Sequence, residues 1–285
     1  MGSGWQEWPL VLFTVLGQSV VGGLIVTGLG WIAFDNNPAA QRRVVRSMFF
    51  LWVIMGLAFV ASILHLGSPW RALNSLNRLG QSALSNEIAS GSLFFAIGGL
   101  WWLLSFLHKM PELLAKSVLL ISIIAGLGFV WAMTRVYQID TVPTWHNGYT
   151  TLGFFLTVVL TGPLLGAILL RQANVSFSGS RFATLSVIAL LVAFIASFAQ
   201  ATSLAGIHSS VQQATALLPN FAQWQTVRMV LLVLGLGCWV CPLVRRKNPS
   251  LPGLLTGWVL VILGELIGRG LFYGLHMTVG MAVAG

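Results

Sequence analysis

VVRSMFFLWVIMGLAFVASILHLGSPWRALNSLNRLGQSALSNEIASGSLFFAIGGLWWLLSFL, running from Val44 to Leu107, decides the fold. Two apolar runs, Val44–Leu66 and Ile88–Leu107, flank the polar segment from His65 to Glu87. Each run is close to the roughly 20 mostly apolar residues that cross a bilayer as a helix. Their apolar residues are continuous rather than alternating, which selects helices over the strands of a barrel. The segment between them puts an imidazole where one span ends and a carboxylate where the next begins. Titratable groups at membrane depth are costly to hold, so they mark function more often than ornament.

The rest of the protein repeats the pattern. Further runs are Pro9–Phe34, Ser117–Val136, Thr151–Leu170, Phe182–Ile207, Val227–Val244 and Pro252–Leu275. Of 285 residues, 56% are hydrophobic and 7% charged, whereas a soluble domain is about a quarter charged. The expectation is all-α: a polytopic membrane protein, a bundle of about eight transmembrane helices in a single domain over residues 1–285. Net charge is +9, but the basic residues sit in short inter-span loops. There they act as topology signals and not as a nucleic-acid-binding face.

Arg42, Arg43 and Arg46 follow span one, Lys109 and Lys116 span three, Arg171 and Arg181 span five, and Arg245, Arg246 and Lys247 span seven. The other side carries only Arg71, Arg78, Arg135 and Arg228. That asymmetry places the first set in the cytoplasm and both termini outside, in the periplasm. Met1–Trp8 has no basic residue and precedes too long an apolar run for a cleavable signal. The outer loops are the longer ones, and His65, His146, His208 and His276 lie at or near them, which makes the outer face the working face. Cys238 and Cys241 form a C-x-x-C pair most simply read as packing residues. Two thiols cannot hold an iron–sulfur cluster, which takes about four.

His65 falls at the C-terminus of span two, where a cation is favoured, and Gly67 and Pro69 end that helix. Ser85 or Asn86 can N-cap span three, with Glu87 in its first turn. The acid and the imidazole can face a common ligand, or they can simply pair and cap the loop. In the last span Glu265, Arg269, Tyr273 and His276 fall on one helical face. They read as a buried structural pair with polar neighbours, as a proton path, or as the wall of a pocket. Gly264 with Gly268, and Ser19, Gly23 and Thr27, are small-residue helix contacts.

An imidazole and a carboxylate at the lipid boundary suit quinol oxidation, in which two hydroxyl protons need acceptors and the cofactor carries the redox chemistry. Two other readings stay open. A b-type cytochrome would use the histidines as heme ligands. A secondary transporter would use Glu265 and Arg269, and the echo of HLGS after span two in IHSS after span six hints at a four-plus-four duplication.

Longer strings carry a resemblance. MGSGWQEWPLVLFTVLGQ at the start, HLGSPWRALNSLNRLGQSALSNEIASGS, IDTVPTW at Ile139–Trp145, IHSSVQQA at Ile207–Ala214 and GELIGRGLFYGLHMTVGMAVAG at the end resemble the membrane anchor subunit of bacterial anaerobic dimethyl sulfoxide reductases. The HNGYTT after Trp145 looks more like a paralogue than the principal anchor. The resemblance implies a multi-pass inner-membrane subunit without heme or iron–sulfur cluster. It would anchor a molybdopterin catalytic subunit and a four-cluster iron–sulfur subunit, and would oxidise menaquinol in anaerobic respiration, passing the electrons to the latter. It also implies that His65 and Glu87 belong to the menaquinol site; to Glu265, Arg269, Tyr273 and His276 it assigns no role. The terminal acceptor is left as dimethyl sulfoxide, another S- or N-oxide, or a selenium oxyanion.

Overall fold

The computed structural model describes residues 3–65, 74, 77–175, 179–207, 214–218 and 220–278. Nine α-helices occur among them: α1 Trp8–Ala33, α2 Pro38–Ser47, α3 Phe49–His65, α4 Ala83–Phe106, α5 Glu112–Val136, α6 Gly148–Gln172, α7 Ser180–Ala205, α8 Phe221–Val244 and α9 Leu251–Gly274. α2 runs on into α3 through Met48, and together they make one of eight segments long and apolar enough to cross a membrane. The protein is thus a multi-pass, all-helical membrane protein, as its sequence pattern requires.

Several boundaries differ from the sequence reading, α4 and α5 each beginning five residues early, and two differences show their cause directly. The basic residues after span one do not lie in a loop. Arg42, Arg43 and Arg46 sit on α2, which Asn37 caps by accepting a hydrogen bond from the Ala40 N–H at 3.0 Å. The interruption at Met48 is stabilised by Trp102, whose indole N–H donates to the Val45 carbonyl at 2.8 Å. Span seven begins six residues earlier than its apolar run suggests, at Phe221, because polar residues of its first turns face the neighbouring helices. Gln225, for instance, donates to Ser197 of α7 at 2.5 Å.

α1 and α6 form the central pair. A Cβ on Gly22 would come within 2.4 Å of the Val158 carbonyl oxygen and 2.8 Å of Gly162 Cα. Only bare backbone fits at that crossing, and helices without a hydrophobic drive to associate gain their packing energy from such close approach. Around this axis the two halves pack alike. In the first, α1 packs on α3 and α5, and α4 pairs with α5. In the second, α6 packs on α7 and α9, and α8 pairs with α9. The hinted four-plus-four arrangement therefore exists in the helix packing. The N-terminal segment meets the end of the last helix: Gly4 presses against Gly270 and Gly274 of α9.

Large apolar side chains outside this packing, such as Leu113, Ile195 and Phe198, are more than 60% exposed. On a soluble protein that would be an aggregation hazard; here it is the surface that lipid covers.

Candidate functional site

At the end of the bundle where Gly4 meets α9, polar side chains run inward between the two halves. Their positions follow from how three helices begin and end. Ser82 caps α4 by accepting from the Ser85 N–H at 3.5 Å. Asn86 turns back instead, its Oδ1 accepting at 2.7 Å from the N–H of Gly80, whose φ of +78° is one that glycine adopts freely. The cap is therefore earlier than Ser85 or Asn86, and Glu87 is the fifth residue of α4 rather than part of its first turn. One turn in, roughly 6 Å below the helix start, it is 4% exposed. Its Oε1 has no hydrogen-bond donor among the described residues.

The Tyr137 and Tyr273 hydroxyls, which meet at 2.7 Å across the bundle, lie within electrostatic reach of Glu87. Tyr137 ends the first half's last span, and Tyr273 ends the second's. The loop after Tyr137 folds over them. Trp145 stacks on Phe272 and donates its indole N–H to the Phe272 carbonyl at 2.8 Å, while Thr144 donates to the Leu275 carbonyl at 2.6 Å. Both bonds fall on carbonyls at the end of α9, where helical partners run out; the Phe272 carbonyl also accepts from the Leu275 N–H. The motif IDTVPTW is thus the clasp that closes the bundle over its polar interior.

Deeper, Glu265 and Arg269 do not pair with each other. Glu265 pairs with Arg228 of α8: Nη2 and Nε donate to Oε1 at 2.8 and 3.3 Å. Its second oxygen accepts from the Thr157 hydroxyl. Arg269 donates instead to Gln18 of α1 at 2.9 Å and to Thr157 at 3.4 Å, and its guanidinium lies 3.5 Å over the Phe154 ring. Gln18 in turn reaches Met133 Sδ at 3.6 Å. One anion and two cations, roughly one and a half to two and a half turns inside the helices, are thus knitted together by α1, α6, α8 and α9. Gly264 is the helix contact expected, against Leu232 and the Arg228 carbonyl, but Gly268 is more than that. A Cβ on Gly268 would sit 2.5 Å from Arg228 Nε, so this glycine opens the space the guanidinium occupies. Beside the network lies a cavity of about 70 Å³, touched by Gln200, Gln225, Arg228, Glu265 and Arg269.

Of the four residues read as one stripe, Glu265, Arg269 and Tyr273 are buried on one face. His276 leaves it. It follows the end of α9, is exposed, and rests its ring 4.7 Å from that of Trp145. His65 is the last residue of α3; its side chain lies outside the described residues, as do His208, Gly67 and Pro69. His146 is at the surface, 3.1 Å from Asp140, and His108 is exposed at the opposite end.

Sequence reasoning misses Arg228, Gln18, Thr157 and Tyr137. An apolar run that starts at Val227 puts Arg228 at a membrane edge. With α8 starting at Phe221 it lies about 10 Å inside. A lone arginine flanked by apolar residues on both sides is the available signal. Gln18 and Thr157 are neutral, and nothing in their spacing distinguishes them from helix contacts.

Comparison with known proteins agrees with this architecture. Residues 1–275 match the family described as DMSO reductase anchor subunit (DmsC). The protein is 62% identical to the YnfH subunit of anaerobic dimethyl sulfoxide reductase of Escherichia coli over 285 residues, the full length of both. It is 54% identical to the C subunit of anaerobic dimethyl sulfoxide reductase of the same organism, and 39% identical to the C subunit of the Haemophilus influenzae enzyme, again over the full length of each. The protein with this clasped, polar-centred eight-span bundle belongs to the DMSO reductase anchor subunit family.

Proposed function

We propose that this protein holds a DMSO-reductase-type complex at the inner membrane and oxidises menaquinol beside Glu87. The carrying observation is the Glu87 carboxylate oxygen, buried and without a donor among the described residues. Buried polar atoms are almost always partnered, so an orphan of this kind marks a place where a ligand supplies the missing group. A quinol hydroxyl is such a donor, and the aromatic Tyr137–Tyr273 pair nearby suits a ring. Glu265 has both oxygens bonded; Arg269 Nε also lacks a partner among the described residues, but it is a donor and cannot take a hydroxyl proton.

In this reading Glu87 takes one hydroxyl proton and His65, at the end of α3, takes the other. Two electrons per quinol pass to an iron–sulfur partner with four clusters, which serves a molybdopterin catalytic subunit. The two cysteines of this protein, Cys238 and Cys241, are too few to hold a cluster of their own. The basic residues gathered at the far end of the bundle support an orientation with both termini and Glu87 on the periplasmic side.

The test is the Glu87→Gln variant in the intact complex, driven by a menaquinol analogue and, separately, by a soluble artificial donor that bypasses the membrane. Quinol-driven turnover should fall by about 100-fold or more, the usual cost of losing a positioned base. Donor-driven turnover should stay at the parent level. Undiminished quinol turnover would remove Glu87 from the site.

A further inference from the structure

The end of the bundle opposite Glu87 holds a cleft of about 860 Å³, within the range of roughly 300–1,000 Å³ typical of ligand sites. Arg43, Arg171, Arg246 and Lys247 line it, contributed by α2, the end of α6 and the turn after α8. Behind the cations lie Ala167, Leu170, Trp239, Leu243 and Leu254, of which Ala167 and Leu243 are partly exposed. No Asp or Glu occurs between Asp140 and Glu265, so the segments that supply three of the four cations contain no acid. The nearest acid on the remaining side is Asp35. It is taken by Lys116, whose Nζ lies 2.6 Å away, and that bond holds the Asp35 carboxyl below its usual range.

We propose that this cleft binds the headgroup of an anionic phospholipid, with diphosphatidylglycerol, which carries two phosphates, the best match. The cleft sits where α6 and α8 end and α9 begins, at the depth of lipid headgroups. Four cations without a counter-ion among the described residues attract phosphate, and each contributes to lipid affinity on the scale of a few-fold. The N-termini of α2, α7 and α9 all border the cleft and add partial positive charge. Ala167 and Leu243 give the proximal acyl carbons apolar surface to lie on, which a free anion would not use. The site is independent of which end of the bundle faces the cytoplasm.

Arg171, Arg246 and Lys247 are exposed and their side chains make no hydrogen bond among the described residues, so replacing them leaves the packing alone. Arg43 is kept, because its Nε donates to the Ala173 carbonyl at 3.0 Å. The experiment compares the full-length protein, isolated from membranes with its accompanying subunits, with R171Q/R246Q/K247Q. Native mass spectrometry reads retention of added diphosphatidylglycerol, phosphatidylglycerol and phosphatidylcholine. The parent should retain diphosphatidylglycerol most, and the variant's affinity for it should drop on the order of 100-fold. R42Q/R46Q/K109Q, with the same charge change outside the cleft, should lose little. Equal losses in both variants, equal retention of phosphatidylcholine by the parent, or displacement of the lipid by millimolar inorganic phosphate would each overturn the proposal.

Discussion

Replacing Arg228 with Met tests whether the buried charges act as one unit. Glu265 is 2% exposed and the Arg228 side chain 14%. Without Arg228 the carboxylate keeps a neutral hydroxyl, that of Thr157, as its one direct donor among the described residues. Breaking a buried ion pair on one side costs about 3–5 kcal/mol, and the partial exposure of Arg228 points to the lower end, about 3 kcal/mol. Glu265→Gln should cost a similar amount for a different reason. It leaves Arg228 and Arg269 close enough to repel each other with no carboxylate between them. The double variant removes both problems, since Arg269 retains Gln18, Thr157 and the Phe154 face. It should therefore recover most of the loss, with a coupling of about 2–3 kcal/mol. Reversible unfolding in mixed micelles titrated with sodium dodecyl sulfate would supply the cycle. A coupling at or below about 0.6 kcal/mol, the average for a hydrogen bond between membrane helices, would refute the argument. So would a double variant no more stable than either single one.

Other perturbations separate the remaining parts. Gly22→Ala should abolish accumulation in membranes, because the new Cβ would strike the α6 backbone at 2.4 Å and backbone cannot move aside; folded yield after detergent extraction measures it. Trp145→Phe keeps most of the stack on Phe272 but loses the 2.8 Å bond to its carbonyl, so stability should fall by about 1 kcal/mol, and hydrogen exchange at the end of α9 should rise. Asp35 ties the turn after α1 to Lys116 of α5, and its carboxyl is held below the usual range by that bond. A depressed carboxylate stabilises the fold above its unfolded pKa and gives that up as pH falls through the lower, folded value. Exchange at residues 34–37 should therefore stay slow through the ordinary carboxylate range and quicken only below it, and Lys116→Met should remove that pH dependence.

The spans are legible because lipid leaves so few choices: a run of apolar residues long enough to cross must be helical. The pairing of the charges is not. Helical periodicity puts Glu265 and Arg269 on one face, and i,i+4 neighbours of opposite sign suggest a pair. That rule considers a single helix, whereas a buried carboxylate takes the best-aligned donor on any helix. Gly264 seats Leu232 and the backbone of α8, whereas Gly268, one turn on, leaves the space that admits the Arg228 side chain. The glycines are visible in the sequence, but their spacing alone does not distinguish a seat for another helix from a seat for a guanidinium. The clasp is legible only as a motif, since IDTVPTW does not by itself disclose that Trp145 and Thr144 cap α9.

Satisfaction of bonding capacity distinguishes the two candidate constellations. Both are buried, both hold an acid, and both lie at the same end of the bundle. They also hold matching places in the two similarly packed halves: Glu87 on α4, third span of the first half, and Arg228 on α8, third span of the second. In the second half the buried charge meets a partner from the adjoining last span, Glu265, and both oxygens of that carboxylate are bonded. In the first half the adjoining span offers Tyr137, whose hydroxyl is already engaged with Tyr273, and the carboxylate oxygen is left open among the described residues. A carboxylate bonded at both oxygens holds α8 against α9; one with an open oxygen has capacity for a hydroxyl brought from outside. Assigning quinol chemistry to Glu87 and scaffolding to Glu265 rests on that difference. The assignment requires Glu265 variants to lose stability before they lose quinol turnover, and Glu87 variants to do the reverse.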